Sequence, residues 1–298
     1  MKSIKLGSKT VNQNSLYFIA DIGANHNGSL EDASISKDWT KTLKEECVKV
    51  GIDYFTSPYD FESIDLVDPY VDLYKIGSGD ITWLEIIEYI VDKSKPVLIA
   101  TGASEIDDVE RVMDLALSKT KDIVLMQCNT NYTGSIENFK YCNLNVLKTY
   151  QSKYPNVVLG LSDHTPGHAT TLGSIALGAR VIEKHFTDNN NQEGPDHAFA
   201  MNPITWRDMV DRSYELLAAL GDGIKRVEPN EELSMVVQQR CLRVNKNLKA
   251  GTVLKKEDII VLRPISEGGF KPFEINNLIG KKLKSDIESG EHLSSVHI

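Results

Sequence analysis

Four cysteines are scattered through 298 residues, Cys47, Cys128, Cys142 and Cys241, and no two form a CxxC pair. That spacing offers neither a zinc ribbon nor a disulfide framework, so free thiols acting as small core residues are expected. No stretch approaches the roughly 18 apolar residues of a membrane span, and the opening "MKSIKLGSKTVNQNSLYFIAD" lacks a signal-peptide apolar run. A cytoplasmic protein with no membrane partner is expected. Positive charge is scarce as well: 33 Lys and Arg face 42 Asp and Glu, a formal net charge of -9. Such a balance argues against nucleic acid as a partner but still permits a local cationic pocket for a small anion. No GxGxxG follows the first strand and no GxxxxGK[ST] occurs, which removes support for a dinucleotide or Walker-type site.

What the chain does have is an alternation of short apolar runs with amphipathic stretches. The strand candidates are "LYFIADIG" (16–23), "DYFTS" (53–57), "LYKIGSG" (73–79), "PVLIATG" (96–102), "IVLMQCN" (123–129), "VVLGLS" (157–162) and "ARVIEKHF" (179–186). Between them, "KDWTKTLKEECVKVG" sets Trp39, Leu43 and Cys47 on one helical face and closes on Gly51. In "SEIDDVERVMDLALSKT", Ser104 is placed to cap a helix whose apolar face holds Ile106, Val109, Met113, Ala116 and Leu117. Uninterrupted apolar strands belong to a parallel sheet covered by helices. The expected fold is therefore α/β, a (β/α) TIM-type barrel with its chemistry on the loops after the strands; an open doubly wound sheet is the alternative.

A closed barrel of this type needs eight strands, and seven are present. The shortfall falls near residues 31–36, where the chain runs from the first strand into a helix with no strand between. Past residue 224 the pattern changes to a polar connector and short β-like pieces. The domains expected are a barrel over 1–223, a linker over 224–239 and a small β-rich domain over 240–298.

His164 and His185 each follow an apolar run, so a parallel barrel brings both to one mouth although they are far apart in sequence. Two imidazoles with oxygen ligands suit manganese, zinc or iron(II), with open positions for water or substrate. His168 reads as a cap or packing residue. Other strand ends carry Asp21, Ser57, Lys75, Ser78, Asp80, Thr101, Ser104, Asn129, Asn131, Tyr132, Ser162 and Asp163. Lysine with hydroxyls and amides meets a phosphate oxyanion, and carboxylates bind hydroxyls or move protons.

In order and spacing, "FIADIGANHNG", "FTSPYD", "YKIGSGDIT", "ATGAS", "CNTNY", "LSDHT", "VIEKHFT" and "GPDHAF" resemble the sialic acid synthase family, the N-acetylneuraminate-type synthases. The tail "VLRPISEGGFKPFEINNLIGKKLKSDIESGE" is similar to that family's antifreeze-like (SAF) domain. The resemblance implies a transferase that condenses phosphoenolpyruvate with an N-acetylmannosamine-like amino sugar, releasing phosphate and giving a nine-carbon nonulosonic acid. It assigns a divalent metal, manganese first and magnesium or cobalt next, to His164 and His185. It places Ser57, Lys75, Ser78, Ser104, Asn131 and Ser162 on phosphoenolpyruvate, and Asp80, Tyr132, Asp196 and Arg240 on the sugar. Arg240 would reach the sugar site of a partner subunit in a domain-swapped homodimer.

Two departures accompany the match. Family glutamates in the motifs matched by "ADIG" and "GSGD" are here Asp21 and Asp80, the residues expected to be catalytic, each one methylene shorter. The family's KFQ-type strand end has no counterpart, and it belongs to the βα unit missing near residues 31–36. Either the protein lacks that unit, or its natural form is several kilodaltons heavier than 33.2 kDa. Two rival functions follow: another metal-dependent barrel aldolase, and a catalytically impaired sugar-binding homologue.

Overall fold

A computed structural model describes residues 2–22, 39–132 and 134–298, so the unit expected near residues 31–36 lies outside the described residues. The chain divides into two compact units, Met1–Asp222 and Gly223–Ile298.

The first unit opens with a hairpin of β1 (Ser3–Leu6) and β2 (Lys9–Asn12) turned at Gly7, whose φ is +52°. Ile4, Leu6 and Val11 alternate inward along it. Then comes a parallel sheet of β3 (Tyr17–Asp21), β4 (Tyr74–Ile76), β5 (Val97–Ala100), β6 (Ile123–Cys128), β7 (Val158–Asp163) and β8 (Ala179–His185), ordered β3-β8-β7-β6-β5-β4. Helices follow the strands: α1 (Trp39–Val50), α2 (Phe61–Val67), α3 (Leu84–Asp92), α4 (Ile106–Lys119), α5 (Val146–Lys153), α6 (Ala169–Ala176) and α7 (Pro203–Ala219). This is the α/β, TIM-barrel type of fold.

Strand alternation separates two cores. One set of side chains, Tyr17, Ile19, Leu73, Leu98, Val124, Met126, Val158 and Val181, packs with Ile4, Leu6 and Val11 of the hairpin, which stops the barrel at its N-terminal end. The other set, with Ile76, Val97, Ile99, Ile123, Leu125, Leu159, Leu161 and Ile182, packs under the helices.

Six of the seven expected strands are in this sheet; "DYFTS" (53–57) is not a strand. Its apolar residues are satisfied by packing, with Tyr54 and Phe55 against the core. The Asp53 carboxylate accepts from the Ser8 amide at 2.9 Å and the Tyr17 hydroxyl at 2.9 Å. Among the described residues, β3 and β4 each pair on one side only. The helix face expected of Trp39, Leu43 and Cys47 is not a buried one either: Trp39 is 61% exposed and Thr40 is the buried residue of α1. On α4, Glu105 rather than Ser104 is the capping residue, its amide donating to Asp108, while Val109, Val112, Met113 and Ala116 are buried.

The second unit holds α8 (Glu232–Gln238) and one antiparallel pair, β9 (Cys241–Val244) with β10 (Ile259–Leu262). Isolated bridges such as Leu248 to Ile287 and Val253 to Lys282 complete it. It is less strand-rich than expected, because turns and 3₁₀ segments carry Leu248, Leu254, Leu278, Leu283 and Ile287 into its core. All four cysteines are free.

Candidate active site

Inward-facing positions come in layers. Along β7 and β8 one layer holds Gly160 and Val181, the next holds Ser162 and Glu183, and the mouth layer, just past β7, holds His164 and His185. Each two-residue step advances about 6.6 Å.

In the mouth layer the imidazole centroids of His164 and His185 lie 5.1 Å apart. His164 Nδ1 sits 2.8 Å from the Asn129 carbonyl oxygen, which can only accept, so Nδ1 carries the proton and Nε2 keeps its lone pair. Burial lowers this imidazole to about 4, against the raising effect of that carbonyl, and so keeps it neutral. His185 is buried with no hydrogen-bond partner on either ring nitrogen. Asp196 Oδ2 stands 3.4 Å from its Nδ1 and Asp21 Oδ2 3.7 Å from its Nε2. Buried orphan nitrogens beside carboxylates are what a cation-binding imidazole looks like, so the residues present fit a divalent metal. Among the described residues no three His, Cys, Asp or Glu side chains gather into a metal cluster. Tyr132 packs against both rings, tilted to His164 at 4.2 Å and edge-on to His185 at 5.7 Å between centroids, and Phe199 flanks His185 at 5.5 Å.

One layer deeper, the Lys75 ammonium pairs with the buried Glu183 carboxylate, and the Ser162 hydroxyl donates to the same oxygen at 3.1 Å. Burial works to lower Lys75, but Glu183 and Asp21 outweigh it and hold the ammonium above its usual range. Burial pushes Glu183 up in spite of Lys75. The raised lysine is the direction that fits a direct contact in which Ser162 also donates, so the pair is ionised. Glu183 Oε2 is left buried without a partner.

The Gly102 amide donates to Ser78 Oγ, and Ser104 Oγ donates to the Gly102 carbonyl, both at 2.9 Å. A Cβ on Gly102 would stand 2.4 Å from Thr130 Cγ2 and 2.9 Å from Ser78 Oγ, so only glycine lets these loops meet. Asn131 accepts from Asn138 at 2.8 Å and lines one cavity with Ser162 and His164. Asp80 ends a 3₁₀ turn, Ser78–Asp80, and burial raises its carboxyl. Tyr59 lies over Gly77 beside Asp80. Ser57 is half-buried in the non-strand segment. Arg240 belongs to the second unit, where its guanidinium donates to the Val261 carbonyl at 3.1 Å. His168 precedes α6, and its carbonyl accepts from the Leu172 amide.

Reading by motif overlooked Glu183, Lys184 and Phe199. The signal was there: "VIEKHF" puts two charges inside a run that must be buried, and a buried charge needs a partner. Lys184 finds it in Asp163, at 2.7 Å.

A family model described as "NeuB family" matches residues 8–225, and one described as "SAF domain" matches residues 239–298. An uncharacterized protein of Methanocaldococcus jannaschii is 31% identical over 333 aligned residues, spanning 98% of this chain and 97% of that protein. That alignment is longer than the 298-residue chain, so the relative carries residues this chain lacks. The N,N'-diacetyllegionaminic acid synthase of Legionella pneumophila is 30% identical, over 90% of this chain and 76% of the enzyme. The crystal structure of N-acetylneuraminic acid synthetase from Leptospira borgpetersenii shares the fold, with a TM-score of 0.72 at 23% identity over 78% of this chain and 95% of that one.

Proposed function

We propose a function from one premise: the chain belongs to the NeuB family. Its reaction is the condensation of phosphoenolpyruvate with an N-acetylmannosamine-like amino sugar, giving a nonulosonic acid and phosphate. The observation that carries this reading is the stacking of two layers at one mouth. A cation-ready pair of imidazoles lies above an ammonium paired with Glu183, whose carboxylate also accepts from Ser162.

Lys75 meets the anionic charge of phosphoenolpyruvate, with Ser57, Ser78, Ser104, Asn131 and Ser162 as neutral partners. A divalent cation on His164 and His185, manganese before magnesium or cobalt, supplies Lewis acidity toward the sugar aldehyde when bound. The enol carbon bonds to the aldehyde carbon, whose oxygen takes a proton. Water adds to the phosphate-bearing carbon and gives up one proton, and as the carbon–oxygen bond to phosphate breaks the new hydroxyl becomes the keto group and its remaining proton leaves with the phosphate. Asp80, raised by burial, is assigned the proton given to the aldehyde oxygen, and Asp21 the proton taken from water. Asp80, Tyr132 and Asp196 contact the sugar, and Arg240 serves the partner's sugar site in a swapped homodimer.

The test is phosphate release from phosphoenolpyruvate with a panel of sugars, N-acetylmannosamine and 2,4-diacetamido sugars included, with manganese and with chelator. Release with one sugar that chelator abolishes is the expected result. A folded protein that binds sugar yet releases no phosphate supports the impaired homologue instead.

A further inference from the structure

Asp163 and Lys184 face away from the mouth, yet they are register partners on β7 and β8, and each is the chain neighbour of one imidazole. Both side chains are buried, with 3% and 1% exposure, and their contact is 2.7 Å. Four further hydrogen bonds surround the pair. Asp163 Oδ1 accepts from the Thr165 amide at 3.0 Å and the Thr165 hydroxyl at 2.9 Å. Asp163 Oδ2 accepts from the Thr170 hydroxyl at 2.5 Å, and the Lys184 ammonium donates to the Thr165 carbonyl at 2.7 Å. His164 therefore sits between Asp163, held by the ion pair, and Thr165, bonded at both its amide and its carbonyl. His185 follows directly on the lysine of that pair.

We propose that the Asp163–Lys184 pair is a positioning device that sets the separation of His164 and His185 for a divalent cation, with Thr165 and Thr170 as its supports. The inference rests on the reading that these imidazoles hold such an ion. A buried ion pair is weak evidence of stabilisation, because apolar groups of similar volume often serve as well; fixing a loop and a strand end in one arrangement is a use that apolar packing does not replace. Supporting groups behind metal-binding histidines change affinity by about 10- to 100-fold when removed.

The experiment is Mn2+ binding by calorimetry, with thermal unfolding of the metal-free protein alongside, on the full chain and on Asp163→Asn/Lys184→Met, Lys184→Arg and Thr170→Val. The unsubstituted chain binds Mn2+; if it does not, the metal reading and this inference fall together. The double variant folds, because no charge is left unpaired, but binds Mn2+ about tenfold or more weakly. Lys184→Arg, which keeps the charge and the donors, stays near the unsubstituted affinity. Should the double variant not fold, Thr170→Val carries the test and shows a loss in the same direction. Folded variants that bind Mn2+ like the unsubstituted chain, with only their melting temperature lowered, make the pair structural and overturn the proposal while leaving the metal site intact.

Discussion

Burial lowers the His164 imidazole to about 4, whereas an unfolded chain titrates near the usual value of about 6.5. Between those values the unfolded state holds the extra proton and the folded state does not. Stability of the chelator-treated protein therefore falls as pH drops from 6.5 toward 4, by about 3 kcal/mol from this residue. Urea unfolding across that window should show the slope, and His164→Gln should flatten it. Lys75 makes a complementary prediction. Lys75→Met leaves Glu183 charged and buried without its partner, which costs about 3 to 5 kcal/mol. Adding Glu183→Gln should restore most of that stability but none of the phosphate release. A double variant as unstable as the single one counts against an ionised pair.

At the scale of elements, β7 and β8 carry both imidazoles, and their contact is tight at Gly160, where a Cβ would stand 2.8 Å from the Val181 carbonyl oxygen and 2.9 Å from Met126 Cγ. The register between the strands shifts between Leu159 and Gly160. Gly160→Ala should cost about 1 to 3 kcal/mol in thermal unfolding and weaken Mn2+ binding, because the strands can only part by moving His164 from His185. Six strands and the two histidines were legible in the sequence, since "VVLGLS" and "ARVIEKHF" are apolar runs that end on polar residues. Residues 53–57 misled because a β-rich composition fits a packed segment as well as a ladder. The β1–β2 hairpin was passed over although Ile4, Leu6 and Val11 alternate around Gly7 and Ser8. Glu183 and Lys184 were hidden for a different reason: their partners, Lys75 and Asp163, come from other strands, and register is a tertiary fact.

For the whole molecule, residues 221–227 are exposed and outside any helix or strand, and they span the boundary at Asp222 and Gly223 between the two compact units. Brief trypsin treatment should cut at Lys225 or Arg226 first, giving a large N-terminal and a small C-terminal fragment by mass spectrometry. Early cuts outside residues 221–227 would contradict this division. The hairpin at the other extreme of the first unit bears on kinetics. Ile4, Leu6 and Val11 close the barrel's N-terminal end, so molecules exchange at the strand C-terminal end, where the lysine layer lies below the imidazole layer. A ligand on Lys75 is thus covered by whatever occupies the imidazoles. On the proposed reaction, phosphoenolpyruvate therefore loads before the amino sugar. Initial-rate patterns should show the sugar as the second substrate, and excess sugar in the empty mouth should inhibit in competition with phosphoenolpyruvate.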